Sequence, residues 1–230
     1  MTAVVDRPAE EEATAPPAGR ALRVALTAVI AVGLLLLGGG LAVVLGIGDE
    51  TGPATPSADS VDAGFSRDMA IHHLQGVEMA NLALERSTDP EVRQLAFDIS
   101  ATQTNQVGRM QGWLTLWGLP LTGGEPMTWM GATAHMHDMG GNGALMPGMA
   151  TDDEMANLRS LSGTTFDVEF LRLMIRHHQG GSEMAVYAAD HADQDVVRSL
   201  ARSIADTQAA ETTTMSAMLT ARGGTPLPPP

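Results

Sequence analysis

The sequence predicts an all-α protein, a four-helix bundle built from two tandem helical hairpins and preceded by one transmembrane helix. Two observations lead to the bundle. Residues 65–80 recur as residues 170–185 at an offset of 105, and the offset holds through the segments that follow both copies. In each copy the apolar side chains recur at helical spacing and therefore share one face of a helix. Two amphipathic hairpins of matching length bury such faces most simply against each other.

The third observation is an apolar run without any charged residue over residues 24–47. As a helix rising about 1.5 Å per residue, this run is long enough to cross a hydrocarbon layer about 30 Å thick. Arg20 and Arg23 precede the run, and the next basic residue after it is Arg67. Because basic residues favour the cytoplasmic side, we expect a cytoplasmic N-terminus and a bundle that lies outside the cytoplasm at the cell membrane.

A cleaved signal peptide is the alternative interpretation of this run. Signal peptides have a shorter apolar core, of about 7–15 residues, and a small-residue cleavage site, and no clear site of that kind follows here. The sequence therefore favours an uncleaved, single-pass signal anchor over residues 20–48. Residues 1–19, rich in Ala, Pro and Glu, are predicted to form a disordered cytoplasmic tail, and residues 49–59 a linker to the bundle.

The composition excludes several classes of function. Of the 230 residues, 44% are hydrophobic but only 3% are aromatic, which suits a helical domain packed with aliphatic and methionine side chains. The net charge of −14 argues against nucleic-acid binding, which depends on basic side chains that neutralise phosphates. The absence of cysteine excludes disulfides, thiolate metal sites and thiol catalysis. A soft metal ion would have to be bound by methionine and histidine.

The duplicated hairpins are predicted over residues 60–223. Asp89, which is followed by proline, signals the start of the second helix in the first hairpin. Asp193 is the expected helix cap at the corresponding place in the second hairpin. Residues 224–230 are rich in proline and are predicted to form a disordered tail.

Each copy of the repeat places a tandem histidine pair and two methionines on the inward face of its helix. A pseudo-twofold axis between the copies would bring up to four imidazoles and four thioethers near one locus. These groups suit copper, since thioethers are soft ligands for Cu(I) and imidazole is a good ligand as well. The predicted metal ligands are His72, His73, His177, His178, Met69, Met79, Met174 and Met184. Gln103 and Gln208 are expected to hydrogen-bond inside the bundle, with the histidines as candidate partners, rather than to bind the metal directly.

The linker between the hairpins, residues 119–150, is rich in methionine and in glycine, which disfavours regular secondary structure. Its central tract is predicted to be a second, flexible metal site, because short His-rich tracts bind metals and methionine adds soft ligands. The ligands of this second site would be His135, Met136, His137 and Met139. A floppy, oxidation-prone loop is the alternative, and the sequence does not decide between the two. After the linker, Thr151 and Glu154 form a capping box that predicts a short helix.

The pattern argues against an enzyme. A di-iron centre in a bundle needs four carboxylates that point inward, but Glu78 and Glu183 fall on the outer faces of their helices. The sequence contains no G-x-S-x-G element, phosphate-binding loop or H-E-x-x-H motif. We therefore expect a binding protein without catalytic activity.

The motif M-I-x-H-H-Q-G-G-S-E-M-A over residues 174–185, with Ile204, Gln208, Glu211 and Met215 beyond it, resembles a bacterial family called domain of unknown function 305. The resemblance covers about residues 60–222. It implies a ferritin-like helical bundle that is exported or anchored to the membrane, and some members of the family are linked to copper binding and tolerance. The first copy departs from the motif at three positions. Leu74, Gln75 and Gln106 stand there in place of Gln179, Gly180 and Glu211.

Together these patterns predict a membrane-anchored, extracytoplasmic protein that binds copper ions for sequestration or handover. Its copper affinity should fall as the pH drops through about 6.5, because a protonated imidazole cannot bind a metal. The alternative is a structural or interaction module of the cell envelope. In that case the histidines form only a hydrogen-bonded core and the methionines fill space.

Overall fold

The structure is a computed structural model that describes residues 18–44, 54–135 and 144–230. The chain divides into two compact units, Met1–Ala54 and Thr55–Pro230. Every regular element in the described ranges is helical, which confirms the all-α prediction. Most of the predicted N-terminal tail and linker, residues 1–17 and 45–53, lies outside the described residues.

The first unit contains helix α1, Ala18–Val44. In the part of the chain that the structure describes, no helix is both long and apolar enough to cross a membrane. The transmembrane anchor predicted over residues 20–48 is therefore not confirmed.

The second unit is a bundle of two helical hairpins, as predicted. Helix α2 packs along α3, helix α5 packs along α6, and the two hairpins meet through α2 and α5. A short 3-10 segment and a short helix, α4, lie between the hairpins. The elements of this unit are α2 Val61–Arg86, α3 Pro90–Leu116, the 3-10 segment Thr128–His135, α4 Asp152–Ser160, α5 Gly163–His191 and α6 Asp195–Ala221.

The helix starts follow the predicted signals with one exception. Asp89 Oδ1 accepts from Glu91 N at 2.9 Å at the start of α3, and the capping box of Thr151 and Glu154 opens α4. The exception is Asp193, which does not cap α6. The N-cap of α6 is Gln194, and the carboxylate of Asp62 on α2 accepts from the backbone N–H groups of Asp193 and Gln194 at 3.1 and 2.9 Å. The other hairpin thus supplies an acceptor for the two backbone N–H groups that lead into α6.

Two apolar clusters fill the bundle. Met69 and Met184 belong to one cluster, and Met79 and Met174 belong to the other. Because an early residue of α2 shares a cluster with a late residue of α5, these two helices run antiparallel. The tandem histidines stand between the methionines in both helices, so a polar layer separates the two clusters.

The described parts of the linker are folded onto the bundle. Asp68 Oδ2 accepts from Met127 N at 2.7 Å and from Trp129 Nε1 at 2.8 Å. Further along, the side chain of Gln75 donates to Ala150 O at 2.8 Å and accepts from Ala150 N at 2.7 Å. Outside its 3-10 segment this part of the linker is irregular, as the glycines predict, but the buried Asp68 and the half-buried Gln75 of α2 hold it in place.

The C-terminal tail, predicted to be disordered, also makes ordered contacts. Arg172 Nε donates to Thr225 O at 3.1 Å, and Leu227 packs against the cluster that contains Met79. Composition alone led to the prediction of disorder, whereas an apolar side chain and one backbone carbonyl attach this end of the chain to α5 and its neighbours.

Candidate metal centre

Four histidine rings form a row across the middle of the bundle, and all four are fully buried. In order the rings are those of His73 and His72 on α2 and of His177 and His178 on α5. Their centroids are 6.4 Å apart for the first two, 3.9 Å for the central two and 6.2 Å for the last two. We call this set the histidine row. It brings together all four predicted imidazole ligands, with His72 and His177 in closest contact.

Two glycines allow α2 and α5 to approach closely enough for the central pair to form. A Cβ atom on Gly76 would overlap Gln103 Oε1 and lie 3.0 Å from His177 Cε1. A Cβ atom on Gly181 would lie 2.9 Å from the amide of Gln208 and 3.1 Å from His72 Cε1. Each of the central imidazoles therefore sits over the glycine of the opposite helix, which explains why the repeat has glycine four residues after its first histidine.

The hydrogen bonds at Nε2 set the tautomer of the rings. His72 Nε2 donates to Pro147 O at 3.2 Å, and His177 Nε2 donates to the backbone oxygen of His72 at 3.0 Å. A carbonyl oxygen only accepts, so Nε2 carries the proton in both rings. In a neutral ring of this tautomer the lone pair is on Nδ1.

The outer rings are bonded in the same manner. His73 Nε2 donates to Gln106 Oε1 at 2.8 Å, and His178 Nε2 donates to Glu211 Oε2 at 2.7 Å. Gln106 lies on α3 and Glu211 on α6, so the row and its partners cross all four long helices of the bundle. Nδ1 is again the nitrogen that remains for a ligand.

All four Nδ1 atoms are buried and have no hydrogen-bond partner. The side-chain amides of Gln103 and Gln208, beside the central rings, are also buried and unpartnered at both oxygen and nitrogen. Buried polar atoms usually have a partner, so a layer with this many unpaired donors and acceptors is suited to holding a bound species. Imidazole nitrogen is a good ligand for copper, and the donor set therefore fits this metal.

Burial keeps three rings of the row, His72, His73 and His177, uncharged. It lowers the pKa of His72 to about 4 and that of His73 to about 3. Burial and repulsion from the neighbouring rings also lower the pKa of His177 well below its usual value. These rings therefore stay neutral, with the lone pair that a metal needs, well below pH 6.5. The sequence-based expectation that affinity falls through pH 6.5 rests on the value for an exposed histidine and does not apply to these buried rings.

The four candidate methionines are fully buried but do not lie together. Met69 and Met184 flank the row on one side, and Met79 and Met174 flank it on the other. In the described ranges no group of three or more His, Asp or Glu side chains is arranged to hold a metal ion. The single locus of four imidazoles and four thioethers envisaged from the sequence is thus replaced by a row between two pairs of thioethers.

The predicted roles of Gln103 and Gln208 differ from what the structure shows. Neither amide hydrogen-bonds to a histidine, and the partners of the outer rings are Gln106 and Glu211, about one helical turn further along. A signal for these partners exists in the sequence. Both residues lie 33 positions after their histidine, at equivalent places in the repeat.

The second predicted site falls mainly outside the described part of the chain. His135 is the last residue of the 3-10 segment. Met136, His137 and Met139 lie in the interval from residue 136 to 143, which the structure does not describe. This site stays a prediction.

A family profile described as "Domain of unknown function (DUF305)" matches residues 62–219, which include the whole histidine row. The chain belongs to the DUF305 family. None of the curated proteins matches the chain.

Solved DUF305 structures share this fold. A DUF305 protein of Streptomyces coelicolor that is inferred to be secreted is 44% identical, with a TM-score of 0.68 over 75% of this chain and 99% of the other. A DUF305 fragment from Deinococcus radiodurans is 37% identical, with a TM-score of 0.58 over 74% of this chain and 99% of the other.

A protein named CopM has the same fold and has been solved with copper. Its Cu(I)-bound form is 25% identical, with a TM-score of 0.56 over 71% of this chain and 98% of the other. Its Cu(II)-bound form is 26% identical, with a TM-score of 0.55 over 70% of this chain and 97% of the other.

Proposed function

We propose that this DUF305 protein binds copper ions inside its bundle, through the histidine row. One observation carries the proposal: the row contains four buried imidazoles whose Nε2 atoms all donate hydrogen bonds and whose Nδ1 atoms all lack a partner. Proteins orient a metal-binding histidine through a hydrogen bond from the ring nitrogen that does not bind the metal. The copper-bound structures of CopM support the choice of metal.

The surroundings of the row favour a soft ion over a hard one. Of the groups bonded to the rings, Glu211 is the one carboxylate, whereas calcium and magnesium need several oxygen ligands. Thioether pairs flank the row on both sides, and thioether sulfur is a ligand that Cu(I) accepts well. The ligands we assign are His72, His73, His177 and His178, with Met69, Met79, Met174 and Met184 as neighbouring donors.

We propose a non-enzymatic role in sequestration or handover of copper. A buried row can hold an ion away from water and from oxidants. The single carboxylate bonded to the rings, Glu211, falls short of the four-carboxylate cluster of a di-iron enzyme. Glu78 and Glu183, which occupy equivalent places in the repeat, are exposed.

We also place the protein outside the cytoplasm and at the cell membrane. The inferred secretion of the Streptomyces coelicolor protein supports the first part. The large apolar side chains of α1 support the second, since 65–75% of the surface of Leu34, Leu35, Leu36 and Leu37 is exposed and water disfavours such a surface. Fractionation of cells that produce the full chain tests this: the protein should sediment with membranes and be degraded by protease added outside intact cells stripped of their wall.

Copper titration of the full chain in mild detergent tests the main proposal. The wild type should bind Cu(I) and Cu(II) stoichiometrically, and the variant H72Q/H177Q should lose this binding while circular dichroism shows an unchanged helix content. H191Q is the matched control, because His191 is exposed at the end of α5 and is not part of the row. Its copper binding should equal that of the wild type.

Two outcomes would reject the proposal. A wild type that binds no copper would favour the structural or interaction module, in which the rings are only a hydrogen-bonded core. Undiminished binding by a folded H72Q/H177Q variant would place the site elsewhere, and H135Q/H137Q would then show whether the linker tract is responsible.

A further inference from the structure

The histidine row has chemically different ends. At the α2–α3 end His73 Nε2 donates to the neutral amide of Gln106 at 2.8 Å. At the α5–α6 end His178 Nε2 donates to the carboxylate of Glu211 at 2.7 Å. Both partners follow their histidine by 33 residues, so the two ends have the same construction and differ in the charge of the acceptor.

The carboxylate of Glu211 interacts with the histidine row through His178. The His178 side chain is fully buried and that of Glu211 is 19% exposed. Among the residues that the structure describes, His178 is the ion-pair partner of Glu211, and no arginine lies within ion-pair distance of its carboxylate. The negative charge of Glu211 is therefore available to a cation bound at the adjacent ring.

Two physical effects then favour the same end. A carboxylate that accepts from one ring nitrogen makes the other nitrogen a better metal ligand, and it does so more strongly than a neutral amide. A buried cation also needs a compensating charge, because an isolated charge in an apolar interior is costly. Glu211 supplies that charge at one end, and Gln106 does not at the other.

We propose that the two ends of the histidine row are unequal copper sites, in which Glu211 makes the α5–α6 end bind the first ion and Gln106 leaves the α2–α3 end to bind a second ion more weakly. Glu211 is thus a positioning residue that acts through His178. This inference rests on the proposed copper function and adds an order of filling to it.

Competition titration with a Cu(I) chelator tests the order on the full chain. The wild type should bind copper in two steps whose affinities differ by about tenfold or more. This is the usual effect on metal affinity of a residue that hydrogen-bonds to a metal ligand. E211Q gives both ends the same neutral amide, so the first step should weaken by about 10- to 100-fold and merge with the second. Urea unfolding of the copper-free variants checks that their folds are intact.

The reverse substitution separates this role from a structural one. Q106E gives the α2–α3 end its own carboxylate, so the second step should strengthen towards the first, which mere damage to the fold cannot produce. In the exchanged variant Q106E/E211Q the two steps should return, and adding H73Q should now remove the stronger one.

The outcomes distinguish the two proposals. Absence of copper binding in the wild type rejects the proposed function itself. Copper binding in a single step, or two steps that E211Q and Q106E leave unchanged, overturns the order of filling while the copper function stands.

Discussion

The two copies of the repeat agree in their buried layer and differ where the linker touches them. Gln75 in the first copy corresponds to Gly180 in the second. The amide of Gln75 holds both backbone polar groups of Ala150. At Gly180 the linker backbone instead lies directly on the helix, where a Cβ atom would overlap Pro147 O and lie 2.8 Å from Gly148 N.

The linker also distinguishes the two copies four residues earlier in α5, about one helical turn before Gly180. Arg176 corresponds to Ile71, and its guanidinium donates to both carboxylate oxygens of Glu154, at 2.9 and 2.6 Å, and to Met149 O at 3.3 Å. The first copy therefore departs from the family motif at position 75 because a single linker contacts the two hairpins differently, although the hairpins are otherwise similar. This departure does not disrupt the histidine row, whose rings are buried in both copies.

The largest effect we predict concerns the layer that the copies share. Folded His72 has a pKa of about 4 and His73 of about 3, whereas an unfolded histidine titrates near 6.5. The unfolded chain therefore binds more protons below pH 6.5, and copper-free protein should lose stability as the pH falls from 6.5 towards 4. For His72 alone the loss should reach roughly 3 kcal/mol.

Urea unfolding of the metal-free chain at a series of pH values measures this loss. H73Q removes one of the buried rings, so its stability should depend less steeply on pH than that of the wild type. H191Q, which changes an exposed ring, should keep the wild-type dependence. A flat profile for the wild type between pH 6.5 and 4.5 would contradict the burial of neutral rings.

The next largest effect is expected from a substitution at Gly180, where the linker backbone contacts the second copy. In G180A the new methyl group meets linker backbone, which cannot move aside as a side chain can, so we expect a loss of about 1–3 kcal/mol in the free energy of unfolding. G181A should cost less, because its methyl group meets side-chain atoms of Gln208 and His72 and not backbone. G112A, at a position in α3 with no atom near the new Cβ, should be neutral or stabilising by up to about 1 kcal/mol.

Thermal and urea unfolding of the three alanine variants tests this ranking. Equal stability of G180A and G112A would mean that the linker does not lie against α5 in solution. In that case Pro147 would also not cover His72.

A somewhat smaller effect is expected at Gln75. Q75A leaves the N–H and C=O groups of Ala150 without their partner, and an unpaired buried backbone group costs about 1–3 kcal/mol when water cannot replace the bond. Since Gln75 is only half-buried, water can reach this site, and we expect a value at the low end. Proteolysis should also cut the linker of Q75A faster than that of the wild type, while N105A, an exposed control on α3, should behave as the wild type.

The fold could be read from the sequence because it depends on local patterns that occur twice. The inward placement of the histidines and methionines follows from helical spacing, and the starts of α3 and α4 follow from Asp89, Thr151 and Glu154. The hairpin pairing follows from the matching lengths of the repeats. These features need no knowledge of contacts between distant residues.

The details of the site could not be read in this way, since they depend on how the hairpins and the linker meet. Helical spacing places Gln103 on the buried face but cannot show that Gln106, one turn on, is the residue that reaches His73. The carbonyl of Pro147 that fixes the tautomer of His72 comes from a linker with no periodic pattern. The antiparallel crossing of α2 and α5 places Met69 in one cluster with Met184 and Met79 in the other with Met174, and only packing decides that crossing.

The smallest effect we predict distinguishes the two kinds of helix start. D89A removes a local cap from α3, which should cost about 1 kcal/mol. Loss of the ion pair of Asp89 with Arg222 should add little, because Arg222 also pairs with Glu91 at 3.2 Å and keeps that partner in D89A. D62A instead removes an acceptor that reaches from α2 to the start of α6 and is 1% exposed, so it should cost more than D89A.

Hydrogen exchange distinguishes the two variants further. D89A should speed exchange only in the first turn of α3, whereas D62A should speed it at the start of α6 and also in the neighbouring first turn of α2. The same local pattern of exchange in both variants would mean that the two hairpins are not joined through Asp62.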